Sequence, residues 1–213
     1  MMPLTRSLDA RYYVDPAIYE NERAGLMART WQFAGHISQL AEPGAYFTFE
    51  LGGENLFCVK GRDGVVRTFY NVCQHRAHEL LTGSGKTRLI VCPYHAWTYE
   101  LTGGLRGGPN LASVDGFDRS QICLSEVRTE VLLGFIFVNL DPDAATLDAW
   151  FPHVRQEMEE WLPHHETLAP LEWVEIPEQC NWKVSVENYS ECYHCTLNHP
   201  TFSTGVVQPK TYD

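Results

Sequence analysis

The stretch "NVCQHRAHELLTGSGKTRLIVCPYHAWTYE", residues 71–100, carries two cysteines and three histidines. One residue separates Cys73 from His75, two separate Cys92 from His95, and sixteen lie between His75 and Cys92. Each of two short loops therefore offers one thiolate and one imidazole. The simplest use of four such donors is a single tetrahedral zinc with Cys₂His₂ ligation. Zinc sites, however, usually take two ligands of one type from each knuckle. Mixed pairs suit a [2Fe–2S] centre in which the cysteines hold one iron and the histidines the other, so that each loop spans both irons. Neutral imidazoles in place of two thiolates make such a cluster less negative and raise its potential to roughly −150 to +300 mV. The plain alternative is buried cysteines and satisfied histidines meeting by chance, and four ligand-type residues at this spacing speak against it. His78 fits no ligand position and is expected to be structural.

A second group lies in "NWKVSVENYSECYHCTLNHP", residues 181–200, where Glu187, Glu191, His194 and His199 follow E-x₃-E-x₂-H-x₄-H. Glu191 and His194 stand at i, i+3 and are expected to share a helix face. His199 is five further on, about 140° away on an ideal helix, so the helix must distort or end before it. Pro200 makes an ending natural. Two histidines and one carboxylate on one side of a metal form the facial triad of non-haem Fe(II) sites. Three other readings compete. Cys192 and Cys195 make a C-x-x-C, but a thioredoxin-like motif should follow a strand, and this lead-in reads as helix. Zinc held by Cys192, Cys195, His194 and His199 is another, and helical packing with solvated glutamates is the third. His153, His164 and His165 are expected at the surface.

Positioning these groups requires a scaffold. Asp15-Pro16 reads as an N-cap and first helical residue, opening a helix to about Thr30. Strand-like segments follow: "AYFTFEL" alternates, "NLFCVK" and "VVRTFY" flank the turn "GRDG", and "RLIV", "HAWTYE" and "VLLGFIFVNL" continue the pattern. Residues 32–140 are thus expected to form a turn-rich antiparallel β domain. The character changes at "DPDAAT", residues 141–146. Leu147, Trp150, Phe151, Val154, Met158 and Trp161 then predict one amphipathic helix ended by Pro163. "LEWVEI" is expected as a strand, and a helix from about Asn181.

Composition narrows the class of protein. The 213 residues carry 27 acidic and 16 basic side chains, a net charge of −11. That balance argues against nucleic acid and against an anionic membrane surface. "MMPLTRSLDA" has no apolar core of a signal peptide, and the longest apolar stretch is far too short to span a bilayer. Seven irregularly spaced cysteines suggest a reducing compartment with some used as ligands, so a cytoplasmic location is expected.

"NVCQHR" and "CPYHAWTYELTGGL" resemble the cluster loops of Rieske non-haem iron oxygenase α subunits, with Ala96 where many members have glycine. The order "NWK…EN…E…YH…H" is similar to the mononuclear-iron motif of the same family. Together the resemblance runs from about Tyr13 to His199. It implies an α+β chain: an N-terminal helical segment (1–31) packing on the catalytic domain, an antiparallel β Rieske [2Fe–2S] domain (32–140), and the beginning of a helix-grip, Bet v 1-like catalytic domain (145–213). It implies Cys73, His75, Cys92 and His95 as cluster ligands and His194 and His199 as ligands of a mononuclear Fe(II). Glu191 matches the acidic residue that bridges a neighbouring subunit's Rieske histidine to an iron-ligating histidine in the family's homotrimers. Most relatives have aspartate there; glutamate, with "ENYSECYHC" and "DPAIYENERAGLMARTWQFAGHISQL", resembles the betaine, choline and carnitine monooxygenase branch. The implied chemistry is O₂-dependent hydroxylation or demethylation of a quaternary ammonium compound, with electrons from NAD(P)H through a flavin-dependent reductase. An aromatic ring-hydroxylating dioxygenase and a stand-alone Rieske carrier are the alternatives. The family's third iron ligand is a carboxylate far towards the C-terminus. Asp213 is a poor candidate, so the chain is expected to be part of a longer or split oxygenase, with the cluster but little mononuclear iron and no turnover alone.

Overall fold

The computed structural model describes residues 7–174, 176–191 and 194–205, apart from the side chains of Ala112 and Glu166. Two compact units divide the chain: Asn21–Trp173, and the two chain ends, Met1–Glu20 with Val174–Asp213.

The larger unit is built from antiparallel strands. These are β1 (Gln32–His36), β2 (Ala45–Leu51), β3 (Glu54–Lys60), β4 (Val66–Tyr70), β5 (Ser84–Lys86), β6 (Ile90–Val91), β7 (Thr98–Tyr99), β8 (Leu105–Gly107), β9 (Glu126–Leu132) and β10 (Phe135–Asn139). Seven of them form one sheet in the order β1-β10-β9-β4-β3-β2-β5, and β6-β7-β8 form a small second sheet. The "GRDG" turn joins β3 to β4 as expected, with Gly64 at φ 79°. The Asp63 carboxylate accepts the Val65 amide and pairs with Arg67 at 2.7 Å, and the guanidinium holds that carboxyl down to about 2.

Several expectations need correction. "VLLGFIFVNL" is not one strand but the end of β9, a two-residue turn and β10. Leu133 and Gly134 both have positive φ, 52° and 86°, the geometry of a primed hairpin turn. Gly134 is also needed for space, since a Cβ there would stand 2.5 Å from His36 Nε2. The predicted single helix after residue 146 is two, α3 (Leu147–Trp150) and α4 (Val154–Trp161), because Pro152 forces Phe151 out of helical geometry. Leu147, Val154 and Met158 pack with Trp31, Leu132 and Leu133, so this segment belongs to the β unit, while Trp161 is 83 % exposed. "LEWVEI" forms no strand among its described residues: none of them pairs with a neighbour, and Leu171 is wholly exposed.

The N-terminal helical run is also broken up. A short α1 (Arg11–Val14) precedes α2 (Pro16–Glu22), which continues in π-helical form over Arg23–Met27. Asp15 caps α2 through a 2.9 Å bond from the Ala17 amide. In the smaller unit α5 (Trp182–Tyr189), α6 (Cys195–Asn198) and α7 (Pro200–Gly205) follow one another. Asn181 caps α5 by accepting from the Lys183 amide and donates to the Tyr13 carbonyl, while the Tyr13 hydroxyl donates to Glu187 at 2.5 Å. The described residues before Asn21 thus pack within the same unit as α5. Among the described residues no helix is long and apolar enough to cross a membrane.

The main core collects Phe57, Val59, Phe69, Leu80, Ile90, Tyr99, Leu101, Leu105 and Leu124, and it also contains Cys73, Cys92 and Trp97. The candidate site therefore grows directly out of the hydrophobic core.

Candidate metal centres

Cys73 follows β4 and Cys92 follows β6, and the two loops they open are folded alike. In the first, the Cys73 amide donates to the His78 carbonyl and the Ala77 amide to the Cys73 carbonyl, both at 2.9 Å. In the second, the Cys92 amide donates to the Trp97 carbonyl at 2.8 Å and the Ala96 amide to the Cys92 carbonyl at 2.9 Å. Each loop turns through an alanine in the left-handed region, Ala77 at φ 53° and Ala96 at φ 57°. That geometry explains why glycine suits the position after His95, and why alanine is tolerated at some strain.

The matched loops sort the four donors. Cys73 and Cys92 are 1 % and 2 % exposed, at the floor of the site. His75 and His95 are exposed above them, with ring centroids 4.8 Å apart in an edge-to-face arrangement. Partial desolvation by its neighbours lowers the pKa of His95, helped by the charges of His75, Arg76 and His78, which favours the neutral imidazole a metal needs. Two dry sulfurs and two rim imidazoles on paired loops fit a [2Fe–2S] group, which asks for two protein ligands per iron.

Sequence reasoning missed the supporting residues. Asn71, fully buried, accepts from the Leu80 and Leu81 amides with Oδ1 and donates from Nδ2 to the Leu81 carbonyl at 2.7 Å. It ties the exit of β4 to the far side of the Cys73 loop. Tyr99 places its hydroxyl 3.2 Å from Cys73 Sγ and accepts the Gln74 amide at 3.1 Å. With Cys73 a thiolate, the phenol is the donor, and burial first, then this contact, raises the Tyr99 pKa. Trp97 stacks on His75, and Tyr94 lies against His95 at 3.7 Å between centroids. The strand parity that puts Trp97 and Tyr99 on one side was a usable signal.

The second group is assembled differently from the expectation. Glu191 and His194 do not share a helix face: α5 ends at Tyr189, and His194 is the N-cap of α6. The break still brings them together, with His194 Nδ1 2.6 Å from Glu191 Oε1. An Nδ1–H donated to the carboxylate fixes the tautomer that leaves Nε2 open to a metal. His199 is the C-cap of α6, so the helix ends before it as expected, and its ring centroid lies 5.4 Å from that of His194. These side chains line a cavity of about 460 Å³ with Glu178, Asn188, Tyr189, Cys195 and Phe202. Glu187 is held by Tyr13 instead. Cys192 and Asp213 lie outside the described residues.

Comparison with known proteins finds two family models on this chain. The model of the Rieske [2Fe-2S] domain matches residues 30–118, and that of the ring hydroxylating alpha subunit (catalytic domain) matches residues 165–212. The chain therefore carries a Rieske [2Fe-2S] domain followed by sequence of the ring-hydroxylating alpha-subunit catalytic domain. It is 40% identical over 201 residues to the carnitine monooxygenase oxygenase subunit of Escherichia coli (strain K12), covering 94% of this chain and 54% of that one. It is 32% identical over 206 residues to the glycine betaine monooxygenase oxygenase subunit of Chromohalobacter salexigens, covering 95% and 45%. The crystal structure of the quaternary ammonium Rieske monooxygenase CntA with L-carnitine matches with a TM-score of 0.82 at 38% identity, over 92% of this chain and 56% of that one. Naphthalene 1,2-dioxygenase from Rhodococcus sp. matches with a TM-score of 0.79 at 27% identity, over 92% and 46%. This Rieske chain spans about half the length of the curated relatives it matches. Its family carries a Rieske cluster and a mononuclear iron.

Proposed function

We propose that this chain is the cluster-bearing part of an oxygenase that hydroxylates or demethylates a quaternary ammonium compound. Cys73, His75, Cys92 and His95 would hold the [2Fe–2S] cluster, and His194 and His199 would hold the mononuclear iron. When bound, the cluster supplies single electrons and the mononuclear iron supplies reductive activation of O₂. The observation that carries the reading is the pair of matched loops, each giving one buried sulfur and one rim imidazole.

The protein's own part is positioning and exclusion of water. The core keeps the two sulfurs dry, while Asn71 and the loop backbone hold them in place. With Cys73 held as a cluster thiolate, Tyr99 would donate its O–H to Cys73 Sγ, 3.2 Å away, where hydrogen bonds to sulfur help set the potential. Glu191 accepts the proton-bearing Nδ1 of His194, and its carboxylate is the group we assign to coupling the two metal sites across a subunit interface of a homotrimer. Electrons would come from NAD(P)H through a flavin-dependent reductase. Support for a cationic N-methylated substrate comes from the carnitine and glycine betaine relatives, and from structures of CntA with L-carnitine and gamma-butyrobetaine. A cytoplasmic location fits this reading.

The test uses the complete oxygenase with its reductase, NAD(P)H and O₂. Substrate-dependent O₂ uptake is expected with carnitine, gamma-butyrobetaine or glycine betaine and not with naphthalene. The reverse preference would assign the chain to the aromatic ring-hydroxylating class.

A further inference from the structure

The two rim histidines are supported unequally. His95 is covered by Tyr94, itself 58 % exposed, whereas His75 lies on a buried indole. The Trp97 ring is nearly parallel to the His75 imidazole, with centroids 4.7 Å apart and planes at 11°. Trp97 is 8 % exposed and belongs to the main core, and Phe117 meets it edge-on at 6.0 Å. Gly108 packs against the pyrrole edge of the indole: a Cβ there would stand 2.9 Å from Trp97 Cδ1 and 3.4 Å from Nε1. The indole is thus boxed in, with little room to tilt. The indole lies over one face of the His75 imidazole.

We infer that Trp97 is a positioning residue for the cluster: its immobilised indole fixes the plane of the His75 imidazole and keeps water off one face of that ligand. The inference rests on the reading that His75 is a cluster ligand. Groups that orient a metal's ligands and control solvent access tune the metal's redox behaviour. The expected direction follows from charge. Two ferric ions, two sulfides, two thiolates and two neutral imidazoles sum to zero, and one added electron makes the set anionic. Water admitted beside His75 favours the charged, reduced form and so raises the potential. An imidazole free to rotate also broadens the distribution of ligand geometries.

Three variants test this on the cluster-loaded chain: Trp97→Leu, Trp97→Phe and Gly108→Ala. The readouts are iron and acid-labile sulfide content, the electron paramagnetic resonance spectrum of the reduced cluster, and its midpoint potential. Trp97→Leu is expected to keep the cluster but broaden and shift the spectrum and raise the potential. Trp97→Phe, which retains a flat ring, should return most of the native spectrum. Gly108→Ala leaves every aromatic in place but pushes on the indole, and should shift the spectrum in the same direction by a smaller amount. A native spectrum and potential in Trp97→Leu would overturn the inference. Should Trp97→Leu fail to hold a cluster, Gly108→Ala decides alone, and native values there overturn it equally. Absence of a Rieske spectrum in the unaltered chain is a separate outcome that overturns the ligand assignment itself.

Discussion

The two candidate centres sit in surroundings of opposite kind. At the cluster loops, backbone hydrogen bonds close each turn and the sulfurs are part of the main core. At the second site, Glu191 lies in the break between two short helices, His194 and His199 flank the second, Tyr189 and Leu197 are both 87 % exposed, and Glu191 is half exposed. The first centre is held by local backbone geometry that a β scaffold supplies unaided. The second depends on side chains presented at helix breaks, where local structure opens at little cost. A rigid electron store and an open, adjustable reaction site suit the two tasks assigned above.

Removing the native ligand balance should give the largest effect and sharpens the cluster side of this contrast. His75→Cys is expected to keep a [2Fe–2S] centre, because the loop is preformed, while its potential falls towards the all-thiolate value of about −400 mV. Redox titration followed by absorption checks this, and an unchanged potential would mean that His75 is not a ligand. Next is Glu191→Gln in the complete oxygenase. Both metals should be retained, with substrate turnover lowered about 10–100-fold, because the bond to His194 loses its charge. Loss of the mononuclear iron in that variant would make Glu191 a ligand rather than a coupling group. The smallest change is Ala96→Gly, which relieves a left-handed alanine in the second loop. A gain of about 0.5–1 kcal/mol is expected, or about 1–4 °C in melting temperature, measured on the metal-free chain. A loss of stability there would show that the loop is not strained at this position.

Ligand-type residues at both centres were legible in the sequence because their chemistry depends on residue type and spacing. The "GRDG" hairpin and the helix after Asn181 were legible too, through turn residues and a capping side chain. The Leu133-Gly134 turn was hidden because a leucine occupies a left-handed position that usually signals itself by asparagine or glycine. "LEWVEI" has strand-forming side chains, yet a strand exists only where a neighbour pairs with it. The contact between Glu191 and His194 was expected for the wrong local reason, a shared helix face in place of a helix break. Asn71, Trp97 and Tyr99 escaped notice because their roles come from what surrounds them in three dimensions, not from spacing.

Metal analysis of the purified 213-residue chain, with absorption and electron paramagnetic resonance spectra, tests the central claim most directly. Two irons and two acid-labile sulfides per chain are predicted, with a Rieske spectrum on reduction. Little further iron is expected, because Glu191 is engaged with His194 and, among the described residues, no third ligand joins His194 and His199. A chain that holds one zinc and shows no visible absorption would contradict the account.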